Sequence, residues 1–183
     1  MARVPYLEKS DLAEADQDLL NRPICLAKAL VNSPKAARAF FGLGGYIRHG
    51  SKLDPRLREM AILQVGWIAR SPYEWSHHVK LGHDFGVSDD DIRALIDDTA
   101  GKPTPLDELT RTVLKGAREV TEEGAMADAT FAALQSALGT EQVVDLTLTI
   151  GFYNAVVRVL ATLQIDVEPE YAPYLQQFPL PAS

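Results

Sequence analysis

Glu74 and His78 stand four residues apart in the segment Glu74-Trp75-Ser76-His77-His78. On a helix that spacing stacks a carboxylate over an imidazole on one face. Such a pair holds the histidine in one tautomer and raises its basicity, and inside a cleft it can serve as the acid and base of a proton transfer. On an open surface the same spacing is an ordinary ion pair worth roughly 0.3 kcal/mol. His77 is expected to point about 100° away from His78, toward solvent or a subunit contact. His83, five residues beyond His78, and His49, in a separate segment, are read as structural.

Other chemistries find less support. Glu74, His78 and a residue from another helix could ligate zinc or iron, but the His-Glu-x-x-His spacing is absent and two ligands do not make a site. No metal or cofactor is expected. The glycines form neither a Gly-x-Ser-x-Gly elbow nor a phosphate loop, and Ser71 and Ser76 are weak nucleophiles without an activating base. Cys25 is the only cysteine, flanked by Ile24, Leu26 and Ala27, and reads as a small buried hydrophobe. No disulfide or Cys-x-x-Cys pair can form within the chain.

The elements that must carry these side chains are helices. Leu53-Asp54-Pro55 offers a cap and a first-turn proline ahead of a helix over residues 56–69, where Leu57, Met60, Ala61, Leu63 and Ile68 recur at helical spacing. Arg70-Ser71-Pro72 ends it and permits a second helix over 73–85, closed by Gly86. Ser88 with Asp89-Asp90-Asp91 caps a third. Upstream, residues 1–23 read as an arm or short turns, 24–31 as a short helix, and 34–43 as another that Gly44-Gly45 weakens before a separate piece at 46–49. Downstream, helices are expected over 106–121, 125–138 and 142–163, and then a tail over 169–183 that ends extended. The run 143–150 alternates almost as a strand would, but its continuation through Phe152, Val156, Val157 and Leu160 favours a buried helix, apolar enough to pack against another subunit. The expectation is one all-α domain spanning 1–183.

The 183 residues carry a net charge of -7, with acids dispersed in short clusters, which argues against nucleic acid or an anionic membrane as partner. The N-terminus lacks the apolar core of a signal peptide, and the stretch 146–165 is interrupted by Asn154, Arg158 and threonines, so a cytoplasmic protein is expected.

Three runs together resemble the core of the carboxymuconolactone decarboxylase and alkylhydroperoxidase D-like (AhpD-like) family: Arg58-Glu59-Met60-Ala61-Ile62-Leu63, Arg70-Ser71-Pro72-Tyr73-Glu74-Trp75-Ser76-His77-His78, and Gly82-His83-Asp84-Phe85-Gly86-Val87. The resemblance covers roughly residues 53–100. It implies an all-helical fold, assembly into trimers or hexamers, and active sites near subunit contacts. In the peroxidase branch a glutamate, a Cys-x-x-Cys pair and a histidine act together, and these positions correspond to Glu59, Ser71, Glu74 and His78. Both thiols are therefore missing, and thiol peroxidase chemistry with them. The decarboxylase branch is similar to the Tyr-Glu-Trp and following histidine found here, and implies cofactor-independent loss of carbon dioxide from a carboxylated lactone.

On that resemblance His78 would donate a proton or stabilise developing negative charge, Glu74 would orient it or relay the proton, and Glu59 would make a buried contact. Glu59 could equally pair at the surface with Arg56, Arg58 or a neighbouring subunit. An anionic substrate calls for a cation, and Arg70 and Arg158 are the candidates, Arg158 as anchor or as a buried ion-pair partner. Tyr153 and Asn154 could line the same pocket, and Trp75 reads as pocket wall. The expected function is a lyase acting on a small carboxylated metabolite. Its alternative is a homo-oligomer with another lyase, isomerase or hydrolase activity, or ligand binding without turnover.

Overall fold

The computed structural model describes residues 2–181, so the first residue of the N-terminal arm and the last two of the tail lie outside the described residues. Every regular element among them is helical: α1 (Cys25–Leu30), α2 (Pro34–His49), α3 (Pro55–Ile68), α4 (Pro72–Asp84), α5 (Asp89–Thr99), α6 (Glu108–Glu123), α7 (Asp128–Leu163) and α8 (Ala172–Gln177). Short 3-10 turns at Lys9–Asp11, Glu14–Leu20 and Pro169–Tyr171 complete the list.

Helix α3 is the hub. It packs on α4, α6 and α7, and ten consecutive residues from Leu57 to Gly66 are buried. Asp54 accepts a hydrogen bond from the Leu57 N–H, and Pro55 fills the first helical position where no donor is needed. The same device starts α4: Ser71 accepts from the Glu74 N–H, with Pro72 next. Gly66 lets α4 approach, since a Cβ there would lie 3.4 Å from the Trp75 nitrogen.

Two expectations, at Gly44-Gly45 and in the tail, need correction. Gly44-Gly45 does not interrupt α2, which runs on to His49 because the glycines sit mid-helix with ordinary intrahelical bonding and Gly44 faces the ring of Phe152. The two helices expected over 125–138 and 142–163 are present and run on as α7, with a break between them at Gly139 (φ 78°, ψ 169°), a conformation open essentially to glycine. The run 143–150 is helical, as expected, its Thr147 and Thr149 hydroxyls bonding back to the carbonyls of Val143 and Asp145. The tail, expected to be largely irregular, folds Ala172–Gln177 into α8 before Phe178 inserts into the core.

Two apolar clusters form the core. One joins α1, α2, α3, α6 and α7 around Ile62, Val113, Leu146 and Ile150. The other joins α3, α4, α5 and the tail around Met60, Leu63, Trp75 and Leu95. Helix α7 is apolar and long enough to cross a membrane, but more than half of its most apolar window is buried inside the fold, as in a core helix.

Candidate functional site

Helices α3 and α4 pack with Glu59 and His78 facing one another. The His78 Nδ1 lies 2.7 Å from Glu59 Oε2, and its Nε2 lies 2.9 Å from Glu74 Oε1, so the imidazole is held between two carboxylates. All three side chains are at most 5% exposed. The first contact is a directed hydrogen bond. The second is close but off-axis, leaving Glu74 Oε1 without a hydrogen-bond partner. Burial pulls the His78 pKa down, but Glu74 and Glu59 more than reverse it and push it up to about 9. Glu59 is held below its usual value: burial opposes this, and His78 and Arg58 outweigh burial. Arg58, itself 2% exposed, donates from Nε to Glu59 Oε1 at 3.1 Å and stacks over Phe85. Glu59 is therefore a buried partner of His78 and Arg58, not a surface residue, and Arg56 pairs elsewhere, with Asp91.

His78 and Glu74 border a cavity of about 520 Å³ between the second 3-10 turn, α1, α2, α4 and α7. Phe40, Phe41, Phe152 and Tyr153 give it an aromatic wall. The Tyr153 ring meets His78 edge-on at 5.0 Å. Its hydroxyl pKa is raised by burial and by Glu74 and Glu59, so it stays a phenol and a donor. Arg48, near the end of α2, lines the cavity, where its charge partly offsets the upward push on the Tyr153 hydroxyl.

The other expected site residues lie elsewhere. Trp75 is fully buried on the far side of α4, where its indole N–H donates to the Phe178 carbonyl at 2.8 Å and its ring packs on Trp67. It holds the tail and forms no part of the cavity wall. Arg158 is exposed and folds back onto the carbonyl and side chain of Asn154, so it is neither a cavity anchor nor a buried ion pair. Asn154 faces Thr121. Arg70 occupies the turn before α4 with φ 47°, exposed and outside the cavity wall. Tyr153 alone of the four expected substrate contacts reaches the cavity.

His77 does not face solvent. It is sandwiched between the rings of Tyr73 (4.0 Å) and Tyr171 (3.5 Å) and donates from Nε2 to Glu168 at 2.8 Å. Burial lowers its pKa despite Glu168, so the ring is neutral. Glu168 also accepts from the Cys25 N–H and the Tyr73 hydroxyl. Burial alone would raise its pKa, but these bonds bring it down to about 2. Cys25 is half-buried, and burial and Glu168 push its thiol up to about 11. His49 is exposed on the cavity rim, and His83 pairs with Asp89 in solvent. Among the described residues no group of three metal-binding side chains converges: the two carboxylates approach opposite nitrogens of His78.

Arg48 escaped the sequence reading. The signal was present: on an unbroken α2, Phe41, Gly45 and Arg48 share a face at helical spacing, and all three line the cavity. Ending the helix at the glycines separated them.

Residues 34–101 match the carboxymuconolactone decarboxylase family, a span that includes Arg48, Glu59, Ser71, Glu74 and His78. No protein of curated function matches the sequence. Among solved structures, a cysteine-to-alanine variant of the debrominase Bmp8 in complex with 2,3,4-tribromopyrrole superposes with a TM-score of 0.79 at 18% identity, over 97% of both chains. The AhpD core of an uncharacterized peroxidase-related protein from Ralstonia eutropha JMP134 gives 0.74 at 19% identity over 95% of both chains. A peroxidase-related protein from Silicibacter sp. TM1040 gives 0.71 at 20% identity over 92% of both. At these identities the likeness is one of fold.

Proposed function

Because residues 34–101 match the carboxymuconolactone decarboxylase family and the fold is shared with AhpD-like proteins, we propose that the chain is a cofactor-independent lyase that protonates the carbanion left when a small carboxylated metabolite loses carbon dioxide. The observation that carries this reading is the buried His78 held between Glu59 and Glu74 at the cavity wall. With a pKa pushed up to about 9, His78 enters the reaction at neutral pH as an imidazolium, the protonation state of a general acid.

The bond between the substrate's ring carbon and its carboxylate breaks, carbon dioxide leaves, and the electron pair stays on the ring as a dienolate. The Nε2 proton of His78 then passes to that carbon. Glu59 keeps the Nδ1 proton in place and fixes the ring, while the off-axis contact to Glu74 leaves Nε2–H free to turn to another acceptor. A proton from solvent restores the imidazolium. One carboxylate and one proton are consumed; carbon dioxide and a new C–H bond result.

Thiol peroxidase chemistry does not fit, since Ser71 and Glu74 occupy the thiol positions and Cys25 lies outside the cavity wall with a poorly ionised thiol. The alternative is another lyase, isomerase or hydrolase reaction at the same acid, or binding without turnover. Assembly into a homo-oligomer in the cytoplasm completes the proposal, supported by the exposed Val144 and Leu148 one turn apart on α7. A monodisperse monomer in light scattering would count against assembly.

The test is incubation with 4-carboxymuconolactone and measurement of released carbon dioxide. Turnover should fall by a factor of about 100 or more in His78→Gln. Release at the wild-type rate in that variant would refute the assignment of the acid.

A further inference from the structure

Helix α4 turns two adjacent rows of side chains to the cavity: Tyr73, His77 and Leu81 at steps of four, and beside them Glu74 and His78. Both imidazoles border the same space, but the lyase step uses only His78. His77 donates its Nε2 proton to Glu168 at 2.8 Å, and Glu168 and Tyr171 stand behind the cavity wall rather than in it. The rings of Tyr73 and Tyr171 cover both faces of the imidazole at 4.0 and 3.5 Å and fix its plane. Among the described residues nothing hydrogen-bonds Nδ1, yet it is not one of the unpaired polar atoms sealed from all contact, so it keeps access to the cavity that its ring borders. A carboxylate that holds the proton of a neutral imidazole on one nitrogen leaves the other nitrogen as a base.

We propose that the Glu168–His77 pair is a general base facing the same cavity as the acid His78, and that the two together shift the double bond of a β,γ-unsaturated ring ketone. His77 Nδ1 takes a proton from the carbon between the carbonyl and the double bond, and the C–H electron pair enters a dienolate. The Nε2 proton of His78 passes to the far carbon of that dienolate, so the double bond comes into conjugation with the carbonyl. No atom is gained or lost; solvent takes the proton from His77 and returns one to His78. This rests on the reading of the cavity as a reaction site with His78 as its acid, and adds to it a base and a second reaction that needs no carboxylate. The two imidazoles start in the states this requires, because burial dominates at His77 and leaves it neutral, while two carboxylates keep His78 charged.

The probe is cyclohex-3-enone, whose conversion to cyclohex-2-enone by the full chain is followed through the ultraviolet absorption of the conjugated product. Wild type should exceed the same concentration of free imidazole by a factor of about 100 or more. His77→Phe, which keeps a stacked ring and removes both nitrogens, should bring the rate down by about that factor, and His83→Phe, at an exposed histidine, should leave it unchanged. The groups facing His77 are Glu168 and Tyr171 on one side and Tyr73, Glu74 and His78 on α4, with Cys25 and Arg22 reaching it through Glu168 and Tyr171. Against these the imidazole titrates below 6.5, so the rate should rise as pH increases through the midpoint that proton–nitrogen NMR gives for His77, and fall again through about 9 as His78 loses its proton. Should His77→Phe fail to fold, the lower limb of the wild-type profile decides alone. The proposal is overturned by isomerisation that survives His77→Phe, by a rate level through the His77 midpoint, or by no isomerisation. Isomerisation that depends on His77, with no carbon dioxide from 4-carboxymuconolactone, would leave the base standing and remove the lyase reading; carbon dioxide without isomerisation would do the reverse.

Discussion

Replacing Glu59 with glutamine keeps the shape and a hydrogen-bonding group beside His78 Nδ1 but removes one of the two charges that stabilise the imidazolium. In the folded protein His78 titrates at about 9, against 6.5 for the free side chain. That difference corresponds to about 3 kcal/mol of extra stabilisation of the charged ring, after the carboxylates have overcome complete burial. With Glu59 gone, Glu74 must oppose the burial penalty alone, and the midpoint should fall by about two pH units, into the neutral range. Long-range proton–nitrogen NMR spectra through a pH series resolve the four imidazoles and give the midpoint directly. The same change has a sign in stability. Since the folded value lies above the unfolded one, the contribution of His78 is fully present below pH 6.5 and is lost as pH rises through 9. Wild type should therefore lose about 3 kcal/mol of unfolding free energy over that window from this group, and Glu59→Gln should show a flatter profile. A midpoint in the variant that remains above 8 would mean that Glu59 does not set the charge of His78.

Further outcomes are expected. The decarboxylation rate should fall as pH rises through about 9, with the break moving to lower pH in Glu59→Gln, read from a pH–rate profile. Glu168→Ala should cost about 3 kcal/mol in chemical denaturation by stranding Tyr73, His77 and the Cys25 N–H. With its folded pKa depressed to about 2, the contribution of Glu168 should be present above pH 4.5 and decline in acid. Gly139→Ala should lower stability by about 1–3 kcal/mol, since φ 78° with ψ 169° is strained for any side chain. Gly66→Leu should cost about 2 kcal/mol or more by forcing α3 away from the backbone of Trp75, seen as a lower midpoint in urea.

What could be read from the chain was what depends on neighbours in sequence. Asp54-Pro55 and Ser71-Pro72 fix where α3 and α4 begin, and the four-residue step from Glu74 to His78 puts the pair on one face whatever surrounds it. Glu59 became visible only through the family pattern, because its contact with His78 spans 19 residues and two helices. The environment of His77 was not legible at all: its partner Glu168 is 91 residues away, and no local rule points to it. Trp75 and Arg158 were misplaced for a related reason. Periodicity tells which residues share a face, but not whether that face meets the tail, the solvent or the cavity. The failure over Arg48 was local, since two glycines suggested an end that tertiary packing overrides.

The neighbouring imidazoles of α4 both border the cavity but answer to different carboxylates, His78 to Glu59 on α3 and His77 to Glu168 ahead of the tail. A slip of a single residue would rotate the side chains by about 100° and exchange those positions, giving the tail's carboxylate the ring meant for Glu59. Ser71 and Pro72 start the helix, and its phase is held by the close approach of Gly66 to Trp75 and by the bonds of Trp75 to Phe178 and of His78 to Glu59. An insertion or deletion inside α4, between Pro72 and Glu74, should thus abolish proton transfer while leaving every reacting side chain present in the chain.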